Sequence, residues 1–277
     1  FSIFTYMHYL IQENLFKERN YNLILDHLDK LGLTYDIVSI IPYTDIVKKR
    51  KENDSDEFID FETNHKNIFC FGSVKFAHIS KRYEWFPGSM YNDNHDYQVY
   101  SKFYKDHLLN SDCLIQGVLS PIPDTIPDMF FARPCKDTKL FTGGVFMRDS
   151  WYEMVEHLKV NSERNIEYDS VMFSKIKNIS YETRCWVVGG EVITMSEYKR
   201  GRFVTYKNVD DNLYLKDDVK KLVDMYQPAD SFVIDVCETV EEPGVLKIVE
   251  INCINCSGFY EANMQKVIDS LNQKFTI

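Results

Sequence analysis

The sequence predicts an α+β protein. Three observations carry this: helical and buried-strand patterns alternate over roughly the first 115 residues, a proline-rich break follows near Ser120, and the remainder is strand-rich with few helices. At 277 residues, with 44% hydrophobic and 14% aromatic content, the chain can bury a substantial core. The break divides it into expected domains at 1–120 and 121–277.

Residues 14–31 carry Leu15, Tyr21, Leu25, Leu28 and Leu31 at near-helical spacing, with Gly32 placed to end the helix. An apolar run at 37–41 reads as the strand that follows, and Pro42 closes it. The stretch KKRKENDSDE, 48–57, has mixed charge and no apolar face, so it reads as a solvated loop or helix face. NIFCF, 67–71, is a compact buried strand ending at Gly72, while Tyr97, Tyr100, Tyr104 and Leu108 recur at helical spacing. Pro121, Pro123 and Pro127 then hold the chain extended. Beyond them the strands DMFFARP, TRCWVVGGEVITM, RFVTY, SFVIDVCE and VLKIVEIN follow, with helices near 151–158 and 219–226. Gly189 and Gly190 between two β-rich runs mark a tight hairpin.

The net charge of −10 opposes attraction to a phosphate backbone and argues against nucleic acid as the main partner. No run of about 18 apolar residues occurs, and the first residues lack the features of a signal peptide. The expectation is therefore a soluble, cytoplasmic protein with no membrane partner. Seven cysteines scattered among apolar runs read as buried thiols. Cys253 and Cys256 form a CxxC that leaves a redox or metal role open, although no second pair accompanies it.

The chemically informative segment is SFVIDVCETVEEPGVLKIVEIN. Two apolar runs flank Glu241-Glu242-Pro243-Gly244, a good turn sequence, so they pair as an antiparallel hairpin. A turn centred between Glu242 and Pro243 sets Asp235 opposite Glu250, and strand alternation puts Asn252 on the face of Glu250. Opposed acids destabilise a sheet unless a cation sits between them, and a divalent ion removes the conflict. Oxygen-only ligands suit Mg²⁺ or Mn²⁺. A hairpin edge with its acids in water is the alternative, and the pattern alone does not separate the two.

Upstream, FFARPCKDTKLFTGGVF places Arg133, Lys136 and Lys139 close to a Thr142-Gly143-Gly144 turn. Fork, point charges and exposed backbone N–H groups are what a polyphosphate needs, although a plain hairpin accounts for the same pattern. Arg184 lies inside an apolar strand, where it either finds a partner or faces outward, and Lys199 and Arg200, which follow the hairpin's second strand, read as a second cationic, catalytic contact or as an ordinary solvated turn.

In this order, RPCKDTKLFTGG, ISYETRCWVVGGEVI, FVIDVCE and IVEINCINCSGFY resemble the ATP-grasp superfamily. They resemble in particular its clade, often phage-encoded, named for an arginine and lysine exchange. The resemblance is strong over 125–277 and fainter over GSVKFAHISKRYEWFPG, which is similar to the pre-ATP-grasp domain. It implies two α+β lobes clasping ATP, a substrate carboxylate phosphorylated by ATP, and an amine that displaces the phosphate to give an amide. The substrates would be a small-molecule or peptide carboxylate and amine, in the host cytoplasm if the gene is phage-borne.

Carried over by position, Arg133 meets the nucleotide phosphates and Lys139 begins the glycine-containing loop. Arg184 stands in the ExR-type strand near the transferred phosphate. Asp235, Glu250 and Asn252 match magnesium ligands. VMFSKI, 171–176, is similar to the strand that faces adenine, which brings Lys175 and Ile176 to the nucleotide. A silent nucleotide-binding or interaction module on the same fold, and a CxxC oxidoreductase, are the rival readings.

Overall fold

The computed structural model describes residues 6–13, 20–52, 55–136, 140–162 and 165–276. The chain begins with β1 (His8–Gln12), α1 (Tyr21–Leu31), β2 (Tyr35–Ile40), β3 (Val47–Arg50), β4 (Phe58–Asp60), β5 (Asn67–Phe71), α2 (Val74–Arg82), β6 (Phe86–Gly88) and α3 (Tyr97–Tyr104). Their strands form one six-stranded sheet ordered β4-β3-β2-β1-β5-β6, parallel through β2, β1, β5 and β6. α1 ends where Gly32 turns left-handed at φ +66° and its N–H meets the carbonyls of Asp29 and Leu28.

One expectation is corrected. Lys48, Lys49 and Arg50 lie on a strand, β3, and not on a loop or helix. The run shows no apolar alternation because β3 is held by ion pairs: Lys48 to Asp60 (2.6 Å), Lys49 to Asp36 (3.3 Å) and Arg50 to Glu13 (2.5 Å).

The second sheet comprises β7 (Leu114–Gly117), β8 (Met129–Pro134), β9 (Gly144–Met147) and β10 (Ser170–Ser174), ordered β7-β10-β8-β9, with α4 (Arg148–Asn161) packed on it. β7 precedes the proline-rich segment, so the change of sheet falls between Gly88 and Leu114. The third sheet runs β13-β12-β11-β14-β15. Its strands are β11 (Ile179–Val188), β12 (Glu191–Arg200), β13 (Phe203–Asn208), β14 (Ser231–Thr239) and β15 (Lys247–Cys253), with α5 (Leu213–Met225) and α6 (Met264–Phe275). Gly189 and Gly190, at φ +60° and +82°, make the two-residue turn between β11 and β12.

Alternation along β11 and β14 supplies both faces of this sheet with core. Trp186 and Val233 join α6, α1 and the first sheet, so the C-terminal helix closes back on the N-terminal strands. Cys185, Val187, Phe232 and Ile234 pack with α5 and with Tyr97, Tyr100 and Tyr104 of α3. No helix among the described residues is long and apolar enough to cross a membrane.

Candidate active site

A cleft of about 700 Å³ is lined by the second and third sheets and by the segment preceding α3, a size that suits a nucleotide-scale ligand. Arg133, Lys136, Thr142, Gly143, Gly144, Lys175, Ile176, Lys199, Glu250 and Asn252 all line it. Segments far apart in sequence thus meet at one surface. Arg184 and Asp235 stand behind it in the sheet, and Lys139 lies outside the described residues.

Its acidic floor follows from strand register. Arg184 on β11 is opposite Asp235 on β14, which is opposite Glu250 on β15. The hairpin is not symmetric throughout: next to the turn Cys237 faces Lys247 and Val236 faces Ile248, and a bulge at Val249 then brings Glu250 against Asp235. Asn252 Nδ2 donates to Glu250 Oε1 at 2.8 Å and to Asp235 Oδ2 at 3.3 Å, so the three oxygen-bearing side chains converge.

The like-charge conflict is met here by two arginines. Arg184 donates from Nε to Asp235 Oδ1 (2.9 Å) and from Nη2 to Oδ2 (2.8 Å), and its Nη1 reaches the carbonyl of Gly258 (3.2 Å). Arg133 donates from Nη1 to Glu250 Oε2 (2.7 Å) and from Nη2 to the Tyr100 hydroxyl (2.7 Å). Asp235 is fully buried. Burial pushes its carboxyl up to about 6 against the pull of Arg184, which leaves it ionised at neutral pH. Burial also pushes on Glu250, but Arg133 and Asn252 outweigh it and hold that carboxyl below its ordinary value. Burial raises the Tyr100 hydroxyl to about 12, so it stays protonated under Arg133.

Around this floor the cations are unevenly satisfied. Lys199 Nζ reaches Glu182 Oε1 (2.7 Å), whose other oxygen accepts from the Tyr198 hydroxyl (2.8 Å). Lys136 lies 3.5 Å from Asp96, and Lys177 pairs with Asp112 at 2.9 Å. Lys175 is exposed and makes no ion pair among the described residues. Gly143 has no room for a side chain, since a Cβ there would lie 2.9 Å from Arg133 Cβ. The backbone at the glycine turn therefore packs directly on the arginine.

Sequence reading misses Tyr100, Glu182, Tyr198 and Asp96, which also line the cleft. Glu182 carries a usable signal, standing two residues before Arg184 on one strand and hence on its face. Tyr100 carries none, because its helical spacing reads as core. None of the seven cysteines forms a disulfide, and Cys253 is buried with its Sγ 3.3 Å from Asn255 Oδ1.

A family model described as an ATP-grasp domain, family 3 of its clade, matches residues 56–271. The chain belongs to this ATP-grasp family. Its fold is the ATP-grasp fold, shared with solved structures of low sequence identity. The D-alanine-D-alanine ligase from Coxiella burnetii superposes with a TM-score of 0.68 at 9% identity, over 98% of this chain and 95% of that one. A D-alanine--D-alanine ligase from Bacillus anthracis complexed with ATP gives 0.60 at 14% identity, over 98% and 96%. The macrocyclase MdnC bound with precursor peptide MdnA from Microcystis aeruginosa MRC gives 0.53 at 11% identity, over 96% and 99%. No curated protein matches the sequence.

Proposed function

We propose that this ATP-grasp protein is an ATP-dependent, ADP-forming carboxylate-amine ligase that makes an amide or peptide bond through an acyl phosphate. The observation that carries the reading is the meeting, in one cleft, of the Arg133 and glycine-turn wall, the lysines 136, 175 and 199, and the Glu250 and Asn252 floor. A protein of net charge −10 gathers cations there, which suits a polyphosphate.

The residues present fit a hard divalent cation in donor chemistry: two carboxylates and an amide, oxygen ligands only, of which Glu250 and Asn252 line the cleft. Asp235, Glu250 and Asn252 would hold Mg²⁺ or Mn²⁺. Held by these residues, such an ion would supply charge neutralisation of the nucleotide phosphates.

On this reading Arg133 and the Gly143-Gly144 backbone bind phosphate oxygens, assisted by Lys136 and Lys139. Lys175 and Ile176 flank the base. Arg184 and Lys199 offset charge on the transferred phosphoryl group as the substrate carboxylate attacks it. The amine nitrogen then attacks the acyl carbon, phosphate leaves with the C–O electron pair, and the amine proton passes to solvent or phosphate. No protein nucleophile is required. Lobe closure excludes the water that would hydrolyse the acyl phosphate. The first sheet, up to Gly88, serves as the pre-ATP-grasp domain and the sheets from Leu114 onward as the catalytic domain, with Tyr91, Asn92 and Asp96 extending the acceptor side of the cleft.

The test is ADP release from Mg-ATP in the presence of amino acids or short peptides, followed by mass spectrometry of the product. Nucleotide binding with no ADP release under any acceptor would establish the rival reading, a silent nucleotide-binding module.

A further inference from the structure

β13 (Phe203–Asn208) is an outer strand of the five-stranded sheet, with unpaired backbone groups along its free edge. Proteins usually blunt such edges with charge, proline or a covering element. Here Phe203, Val204 and Tyr206 are 77%, 69% and 59% exposed. An apolar, uncovered edge of this kind is a place where another extended chain adds as a strand.

The edge connects to the cleft. Val204 lies opposite Lys199, so their side chains share a face, and Lys199 lines the cleft. Tyr206, two residues on, is on that face as well. Its ring stacks on Tyr260 (5.5 Å between centroids, 18° between planes), which stacks on Tyr198 (4.8 Å, 18°) of the cleft wall. Tyr260 holds a left-handed backbone at φ +50°, unusual for a non-glycine residue. The Asn20 Nδ2 bond to its carbonyl (2.7 Å) and the two flanking rings keep it there, with the Arg184 guanidinium 4.9 Å from its ring centre. Three stacked tyrosines thus lead from the sheet edge to the ligase site.

Charge selects the occupant. Lys199 is matched by Glu182, and Arg200 by Glu197. Arg202 and Lys207, which bracket the exposed Phe-Val-Thr-Tyr run, are exposed and make no ion pair among the described residues. A second copy paired antiparallel about this run would set Arg202 against Lys207, so self-association is opposed.

We propose that β13 takes an acidic peptide as an added strand, its apolar side chains on Val204 and Tyr206 and its acids on Arg202 and Lys207, so that a peptide carboxylate is led past Lys199 into the cleft. This deepens the ligase reading and rests on it, since the peptide is then the carboxylate substrate.

Fluorescence anisotropy with a fluorescein-labelled decapeptide alternating glutamate and valine tests it, against glutamine-for-glutamate and lysine-for-glutamate versions and a single-stranded RNA decamer. The expected result is binding of the glutamate peptide alone, at least tenfold weaker in the Arg202→Glu/Lys207→Glu variant and in Val204→Asp, with ATP-analogue affinity and melting temperature unchanged. Equal binding of the glutamine peptide, preference for RNA, dimerisation through β13, no binding, or indifference to the charge reversal would each overturn the proposal. ADP release with free amino acids separates the two readings. Peptide binding that follows the Arg202 and Lys207 charges without ADP release under any acceptor would leave the surface and remove the ligase. ADP release with peptide binding that ignores the β13 variants would remove the surface and leave the ligase.

Discussion

Arg184 and Asp235 face each other across β11 and β14 and are joined twice, Nε to Oδ1 at 2.9 Å and Nη2 to Oδ2 at 2.8 Å, with Glu250 next in the same row. Two acids and a buried arginine therefore share one line across the sheet, and each depends on the others for charge balance. Breaking such a pair leaves an uncompensated buried charge. Arg184→Met should lower the free energy of unfolding in urea by about 3–5 kcal/mol, and the double variant Arg184→Met/Asp235→Leu should recover most of the loss. Equal instability of single and double variants would show that packing, not charge balance, sets the cost.

Arg133 occupies Glu250 at 2.7 Å, the carboxylate assigned to the divalent ion. On the proposed function, phosphates that drew Arg133 away would release Glu250 for the ion. Mn²⁺ titration followed by electron paramagnetic resonance should show weak binding to the protein alone and at least tenfold tighter binding with a nonhydrolysable ATP analogue. Arg133→Met should bind Mn²⁺ more tightly than wild type without nucleotide, and the ATP analogue more weakly.

The glycine turn discriminates between its two glycines. A Cβ at Gly143 meets Arg133 Cβ at 2.9 Å, whereas one at Gly144 meets nothing nearer than 3.9 Å. Overpacking of this kind costs about 1–3 kcal/mol, which corresponds to roughly a 5- to 150-fold loss of affinity where the displaced group is a ligand contact. Isothermal titration should find ATP-analogue binding weakened about tenfold in Gly143→Ala and near wild type in Gly144→Ala.

Asp210 ties β12 to α6. Its oxygens accept from the Met195 N–H (2.7 Å), the Thr194 hydroxyl (2.8 Å) and Lys266 (2.7 Å). Burial pushes the carboxyl up, but these contacts prevail and hold it below its ordinary value. A depressed folded value gives stability that is present above the unfolded pKa of about 3.9 and lost as pH falls through the folded one. Asp210→Asn should be less stable than wild type by about 1–3 kcal/mol at neutral pH, and the two unfolding curves should converge in acid.

Local pattern makes much of this legible. The Asp235 and Glu250 pairing follows from turn chemistry and strand period, and the bulge at Val249 is invisible because a single inserted residue leaves no trace in hydrophobic alternation. The cleft residues are legible as a set, while their partners are not. That Arg133 meets both Tyr100 and Glu250 depends on α3 and β15 arriving at β8, a tertiary fact that no window of sequence contains. The charged run on β3 escapes for a related reason: its ion pairs reach Asp36 and Asp60 on adjoining strands and Glu13 beyond β1, and charge at those distances has no period to detect. Glu182 is the exception, since alternation from Arg184 marks it.

The most direct test of the ligase assignment is ADP release by wild type and Glu250→Ala with Mg-ATP and a set of amino acids and acidic peptides. The account predicts turnover by wild type that requires both magnesium and an acceptor, and loss of at least a hundredfold in Glu250→Ala, compared at a temperature where circular dichroism shows both proteins folded, since Arg133 loses its 2.7 Å partner in that variant. Turnover without magnesium, or a Glu250→Ala protein as active as wild type, would contradict it.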